Sequence, residues 1–228
     1  MWRIPPDFND KDERVDGGAG DMPRTESTPP AAVTDVAKEQ GVGGAERAMR
    51  SDARRNYDRL VVAAREVLAT LGGDASMEAI ARQAGVGAGT LYRHFPKRID
   101  LVEAVYRNDI DELMLAADKA LANLAPWDAL VSWLDAFLRY ALGKQVFLTE
   151  LREAFEKNPQ LHLNSRERVE QGFTLVLDAA QRAGVARTDV NGSDLMQLIS
   201  GMCTSPTLDR AQGERLLAMV LDGLRIVD

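Results

Sequence analysis

An all-α fold of about nine helices is predicted, with a short helix-turn-helix near position 90 and a C-terminal helical bundle. Three observations carry that prediction. From Ser51 onward apolar residues recur at three- and four-residue spacing almost without interruption. The breaks between these runs fall on glycine or proline, where helices end or begin. No run alternates apolar and polar residues over the length of a strand.

Residues 1–49 do not share the pattern. They hold five of the nine prolines and six of the eighteen glycines, in stretches such as DGGAGD and TPPAAVTD. Such a segment cannot bury enough apolar surface to offset the entropy of ordering it, so a disordered tail is expected over 1–49. The first helix follows, its stripe formed by Leu60, Ala64, Val67, Leu68 and Leu71, and Gly72-Gly73 should end it. Ser76 is placed to cap a second helix, with Glu78 in its first turn near the positive helix end, and Gly85 closes it. A third helix opens near Gly87 and reaches Phe95. Pro96 then suits the first turn of a long fourth helix with Val102, Tyr106, Ile110, Leu113 and Ala117 on one side. Five more helices are expected at about 126–141, 144–157, 165–183, 192–203 and 211–226.

Charge is unevenly distributed. The chain of 228 residues has a formal net charge of −7, yet residues 50–100 are net +3 between segments of −4 and −6. A basic island in an acidic protein suits a polyanion partner, because cationic side chains gain from neutralising phosphates. No stretch is long and apolar enough to span a membrane, and the N-terminus lacks the basic-then-apolar order of a signal peptide. A cytoplasmic protein is expected. Cys203 is the sole cysteine, which excludes an intrachain disulfide and a cysteine-based zinc cluster. His94 and His162 have no local ligand partners, and G-x-G-x-G at 85–89 matches neither a dinucleotide nor a P-loop pattern. Neither a metal nor a cofactor is expected.

The segment 76–95, SMEAIARQAGVGAGTLYRHF, has the layout of two short helices joined by a tight glycine turn. Burying Ile80, Ala81, Ala84, Val86, Leu91 and Phe95 between the helices turns Ala88, Gly89, Thr90, Tyr92, Arg93 and His94 outward, followed at once by Lys97 and Arg98. An ordinary solvated face would carry Glu, Lys and Gln instead. Such a helix end fits a major groove, with short polar side chains and backbone N–H groups aimed at phosphates and base edges.

Thr90-Leu91-Tyr92-Arg93-His94-Phe95, followed by Pro96-Lys97-Arg98-Ile99-Asp100-Leu101, resembles the signature of the TetR/AcrR family of bacterial transcriptional regulators. The close match covers roughly residues 55–105. The resemblance implies a DNA-binding domain over 50–98 and a ligand-binding and dimerisation domain over 99–228. It implies that Thr90, Tyr92 and His94 contact backbone or adjacent bases, that Lys97 holds a phosphate, and that Arg54 or Arg55 reaches backbone or minor groove. Ala88 and Gly89 stand where the family often carries base-reading side chains, and Arg93 can take over such a contact. It further implies an effector pocket in the bundle, with Trp133, Phe137, Phe147 and Phe173 as lining candidates. The last two helices would meet a second copy through Leu195, Ile199, Met202, Leu217, Val220, Leu221 and Leu224. The resulting expectation is a ligand-responsive regulator, a homodimeric repressor released from a palindromic operator by a small apolar or amphipathic molecule, and not an enzyme. An all-α carrier or enzyme without DNA binding is the competing reading; salt-dependent duplex binding separates the two.

Overall fold

The computed structural model describes residues 40–226, with side chains from Arg50 onward. The expected tail therefore lies outside the described residues up to position 39. Nine α-helices occur among the described residues: α1 (Gln40–Leu71), α2 (Met77–Gln83), α3 (Ala88–His94), α4 (Arg98–Asn123), α5 (Pro126–Gly143), α6 (Leu148–Lys157), α7 (Pro159–Arg182), α8 (Gly192–Met202) and α9 (Arg210–Leu224). There is no strand among them, only an isolated antiparallel bridge between Ala186 and Arg225.

Local chemistry sets most helix ends. Ser76 Oγ accepts from Ala79 N at 3.0 Å, the cap that Ser76 predicts. Gly85 closes α2 with φ +64°, a backbone that favours glycine. Asn158 caps α7 with Pro159 behind it, so this helix starts six residues earlier than its apolar period suggests. Asn191 and Asp194 exchange bonds of 3.0 Å as a capping box on α8, and Asp209 caps α9 at 2.7 Å from Gln212 N.

Three further boundaries differ from the expectation. Among the described residues α1 already includes 40–49, which the expectation assigned to the disordered tail; once a helix is nucleated, each further residue adds a hydrogen bond at little extra cost. Pro96 precedes α4 instead of opening it, because the Asp100 carboxylate accepts the Lys97 N–H at 2.9 Å and makes Lys97 the cap. The segment 144–157 is a 3₁₀ turn, Lys144–Phe147, followed by α6, and not one helix.

From Gly44 onward the chain packs as one unit. Helices α2 and α3 pair, and Leu60, Ala64, Leu68, Ile80, Ala81, Leu91 and Phe95 are buried in the head they form with α1. The body is built on α4, α5 and α7, which pack pairwise; α6 lies on α4 and α7, α8 on α7, and α9 on α5. The predicted α4 stripe of Val102, Tyr106, Ile110, Leu113 and Ala117 is entirely buried. At the centre Trp133 is fully enclosed, and its Nε1 donates to the Leu113 carbonyl at 2.9 Å. The indole lies directly on Gly172, where a Cβ would sit 2.4 Å from the ring, so α5 and α7 meet where one contributes no side chain.

Candidate nucleic-acid interface

Burial of Leu91 and Phe95 fixes which side of α3 faces outward. With both inside, Ala88, Gly89, Tyr92 and Arg93 are exposed, Thr90 and His94 are half-buried, and Lys97 is exposed beyond the helix end. These are the six helix residues and the lysine expected on that face. Arg54 and Arg55 are exposed on α1, and Arg55 also bonds Ser51 Oγ at 2.6 Å and pairs with Asp52.

Two arginines of the basic island have other work. Arg59 donates to the Ala84 carbonyl and, at 3.2 Å, to the Gly85 carbonyl, tying α1 to the end of α2. Arg98 donates to the Ala75 and Gly72 carbonyls and pairs with Glu150 Oε1 at 3.1 Å, joining the α1–α2 connection to α6. Composition gave these residues a share in a polyanion-binding surface; they are instead structural ties inside the protein.

Two residues absent from the sequence-based set lie on the face. The Tyr57 ring sits 6.1 Å from His94 in edge-on geometry and 5.1 Å from Phe95, buttressing the end of α3 from α1. Glu78 accepts a hydrogen bond of 3.0 Å from the Tyr92 hydroxyl. That bond and the residue's own backbone N–H hold the Glu78 carboxyl below its usual range, the backbone bond foremost, while the carboxylate raises the phenol of Tyr92. The spacing of 78 and 92 across a turn gave no signal of this contact, whereas Tyr57, three residues before Leu60 and in line with the α1 stripe, was a readable aromatic.

The head resembles one family throughout. Residues 60–105 match the model of bacterial regulatory proteins of the tetR family, and residues 125–226 match the C-terminal domain of SbtR-like transcriptional regulators. The TetR transcriptional regulator SCO0520 of Streptomyces coelicolor is 39% identical, with a TM-score of 0.69 over 75% of this chain and 99% of that one. The chain belongs to the TetR family. A TetR regulatory protein of Mycobacterium vanbaalenii is 30% identical, with a TM-score of 0.62 over 78% of this chain and 99% of its own. The transcriptional regulator UidR of Escherichia coli K12 is 25% identical over 159 residues, 66% of this chain and 79% of its own. The protein is thus a TetR-family DNA-binding transcriptional regulator.

In the body of this TetR-family protein, three of the four aromatic lining candidates meet. Phe173 stands edge-on to Trp133 at 4.9 Å and to Phe137 at 4.8 Å, and Trp133 and Phe137 are 6.1 Å apart. Phe147 is buried in the 3₁₀ turn. Trp133, Phe137 and Phe173 pack on one another as core, with Trp133 also on Gly172. A surface hollow of about 320 Å³ lies elsewhere, between α8 and α9, lined by Val190, Leu198, Met219 and Leu224 among others.

The seven dimer candidates differ in how far they are covered within one chain. Leu195, Ile199, Leu217 and Leu224 are buried within their own chain, and Met202, Val220 and Leu221 are half-buried. The large apolar residues of α8 and α9 that stand exposed are Leu198, 57% exposed, and Met219, 69% exposed. Each helix carries a large apolar residue, Leu198 or Met219, outside its buried stripe, so periodicity does not say which apolar residues meet the bundle. Among the described residues, no helix is long and apolar enough to cross a membrane, and no cluster of His, Cys, Asp and Glu could hold a metal ion.

Proposed function

We propose that this regulator is a homodimeric repressor that seats α3 of each copy in successive major grooves of a palindromic operator in the cytoplasm and leaves it when a small apolar or amphipathic effector enters the body. The observation that carries the reading is the division of α3: Leu91 and Phe95 inside, Tyr92 and Arg93 outside, and Lys97 exposed just beyond. Tyr92, His94, Thr90 and Lys97 have the chemistry for phosphates, while Ala88 and Gly89 admit close approach and Ala88 can pack on a thymine methyl. Arg93 has the reach for a base edge or a second phosphate, and Arg54 or Arg55 for the flanking backbone.

One head spans only a few base pairs, so useful affinity at physiological salt calls for two heads held at a multiple of the helical repeat. The apolar surface around Leu198 and Met219 is the face available for that pairing. Met219→Glu places a charge at its centre; the variant should sediment as a monomer and lose most operator affinity while its helical signal persists. A dimer unchanged by that charge would place the interface elsewhere. The effector acts through its differential affinity for the two spacings of the heads.

The experiment that tests the DNA assignment is the salt dependence of binding to a duplex selected from a random pool by the full chain. Lys97→Ala should weaken binding about tenfold and reduce the slope of log affinity against log salt by roughly one, the signature of one lost phosphate contact. Tyr92→Ala should also weaken binding without unfolding the dimer. Unchanged affinity in both variants would sink the assignment, and binding without salt dependence would favour the carrier reading.

A further inference from the structure

We propose that Glu78 is an affinity-setting residue of the DNA-reading face, which holds the one hydroxyl proton of Tyr92 and must surrender it to a DNA phosphate. The inference rests on the reading of α3 as the groove helix. It starts from a count of donors: a phenol has one proton and gives one conventional hydrogen bond. In the free protein that bond goes to Glu78 Oε1 at 3.0 Å.

Glu78 stands apart from other acidic residues of the head. Asp52 pairs with Arg55, Asp100 accepts the Lys97 N–H, and Glu66 accepts from Gln83. The Asp100 and Glu66 bonds tie the scaffold, and the Asp52–Arg55 pair lies within one turn of α1. Glu78 instead reaches across from α2 to a side chain of the exposed face of α3, and both partners are exposed. A phosphate oxygen brought within hydrogen-bonding distance of Tyr92 Oη would find the proton committed elsewhere and a carboxylate roughly 5–6 Å away. Like charges at that separation repel appreciably near a protein surface.

Titration does not relieve the contest. The Glu78 backbone N–H and then the Tyr92 hydroxyl lower the carboxyl, and the carboxylate raises the phenol, so both stay in the donor–acceptor state near neutral pH. Every duplex that uses Tyr92 must therefore displace Glu78 first. This restrains phosphate-led adhesion, the component of binding that carries no sequence information.

The test is a double-mutant cycle read by fluorescence anisotropy on the full chain, with a labelled duplex selected from a random pool by the wild type. Glu78→Ala frees the hydroxyl and removes the charge; alanine suits this exposed helix position and leaves the Ser76 cap in place. Affinity should rise roughly fivefold, with Tyr92→Phe weakening it, and in the Tyr92→Phe background the gain from Glu78→Ala should fall to about twofold or less. Glu78→Gln, isosteric with the native residue, should change affinity in the same direction as Glu78→Ala, which guards against an effect of altered folding. Unchanged or weaker binding by Glu78→Ala overturns the proposal. So does an equal gain in both backgrounds, which would mean a diffuse charge effect with no contest for the proton. A wild type that selects no duplex at all would refute the DNA reading beneath it, a result distinct from either.

Discussion

Trp133→Ala is expected to lower the free energy of unfolding by about 3–5 kcal/mol, the range for emptying a fully enclosed aromatic site. The indole is buried completely, stands edge-on to Phe173, stacks near Phe137 and donates to the Leu113 carbonyl. Removing it takes away packing among α4, α5 and α7 together, so neighbouring side chains cannot all close on the space. For a chain of this size the melting temperature should fall by roughly 10 °C. A partner substitution sharpens the test. Gly172→Ala alone forces a methyl to within 2.4 Å of the indole and should also destabilise. In the Trp133→Ala background the same methyl enters vacated space, and its cost should vanish. Additive costs, read by chemical denaturation followed through circular dichroism, would mean that the ring and the glycine are not packed on each other.

The head was largely legible in the sequence because its signals are local. Ser76, Gly85 and the Thr90–Phe95 run each act within a few residues, and burial of Leu91 and Phe95 then determines the outward side. What escaped was set by distance along the chain. Arg59 and Arg98 reach carbonyls more than twenty residues away, and nothing in composition separates such an arginine from one left for a phosphate. The same holds for Glu78 and Tyr92, joined only after the turn brings α2 beside α3. In the body the limit was different. Helices α8 and α9 each carry apolar residues outside their buried stripe, so the pattern does not separate Leu195 and Ile199, which are buried in the chain's own core, from Leu198 and Met219, which are exposed. Pro96 was misplaced by one cap, since two candidate starts lie within two residues and the Asp100 carboxylate decides between them.

Asp109→Asn is expected to stabilise the protein at neutral and alkaline pH and to remove a pH dependence from its stability. Asp109 on α4 is buried, and burial pushes its carboxyl from 3.8 up to about 6; Arg65 on α1 opposes the shift and Glu112 adds to it. Arg65 Nε lies 3.1 Å from Asp109 Oδ1, yet that oxygen has no aligned hydrogen bond, and the same arginine donates to Glu112. The tyrosines on its other side, Tyr106 of α4 and Tyr140 of α5, are themselves pushed upward, chiefly by burial, and stay neutral. A carboxyl whose folded value exceeds its unfolded one binds its proton more tightly when folded. Its penalty is therefore full above about pH 6 and is relieved as the pH falls toward 4. A shift of roughly two units corresponds to at most about 3 kcal/mol, so Asp109→Asn should gain on the order of 1–3 kcal/mol at pH 7.5 and nearly nothing at pH 4.5. Arg65→Ala should do the reverse, since it leaves the carboxylate without its counter-charge. If instead Asp109→Asn were the less stable protein at pH 7.5 in denaturant titrations, attraction to Arg65 would outweigh desolvation, and the α1–α4 contact would be a net clamp. With the expected sign it is a joint held at a cost between the head helix and the body, and a joint of that kind yields to a small differential binding energy more readily than an apolar seam would.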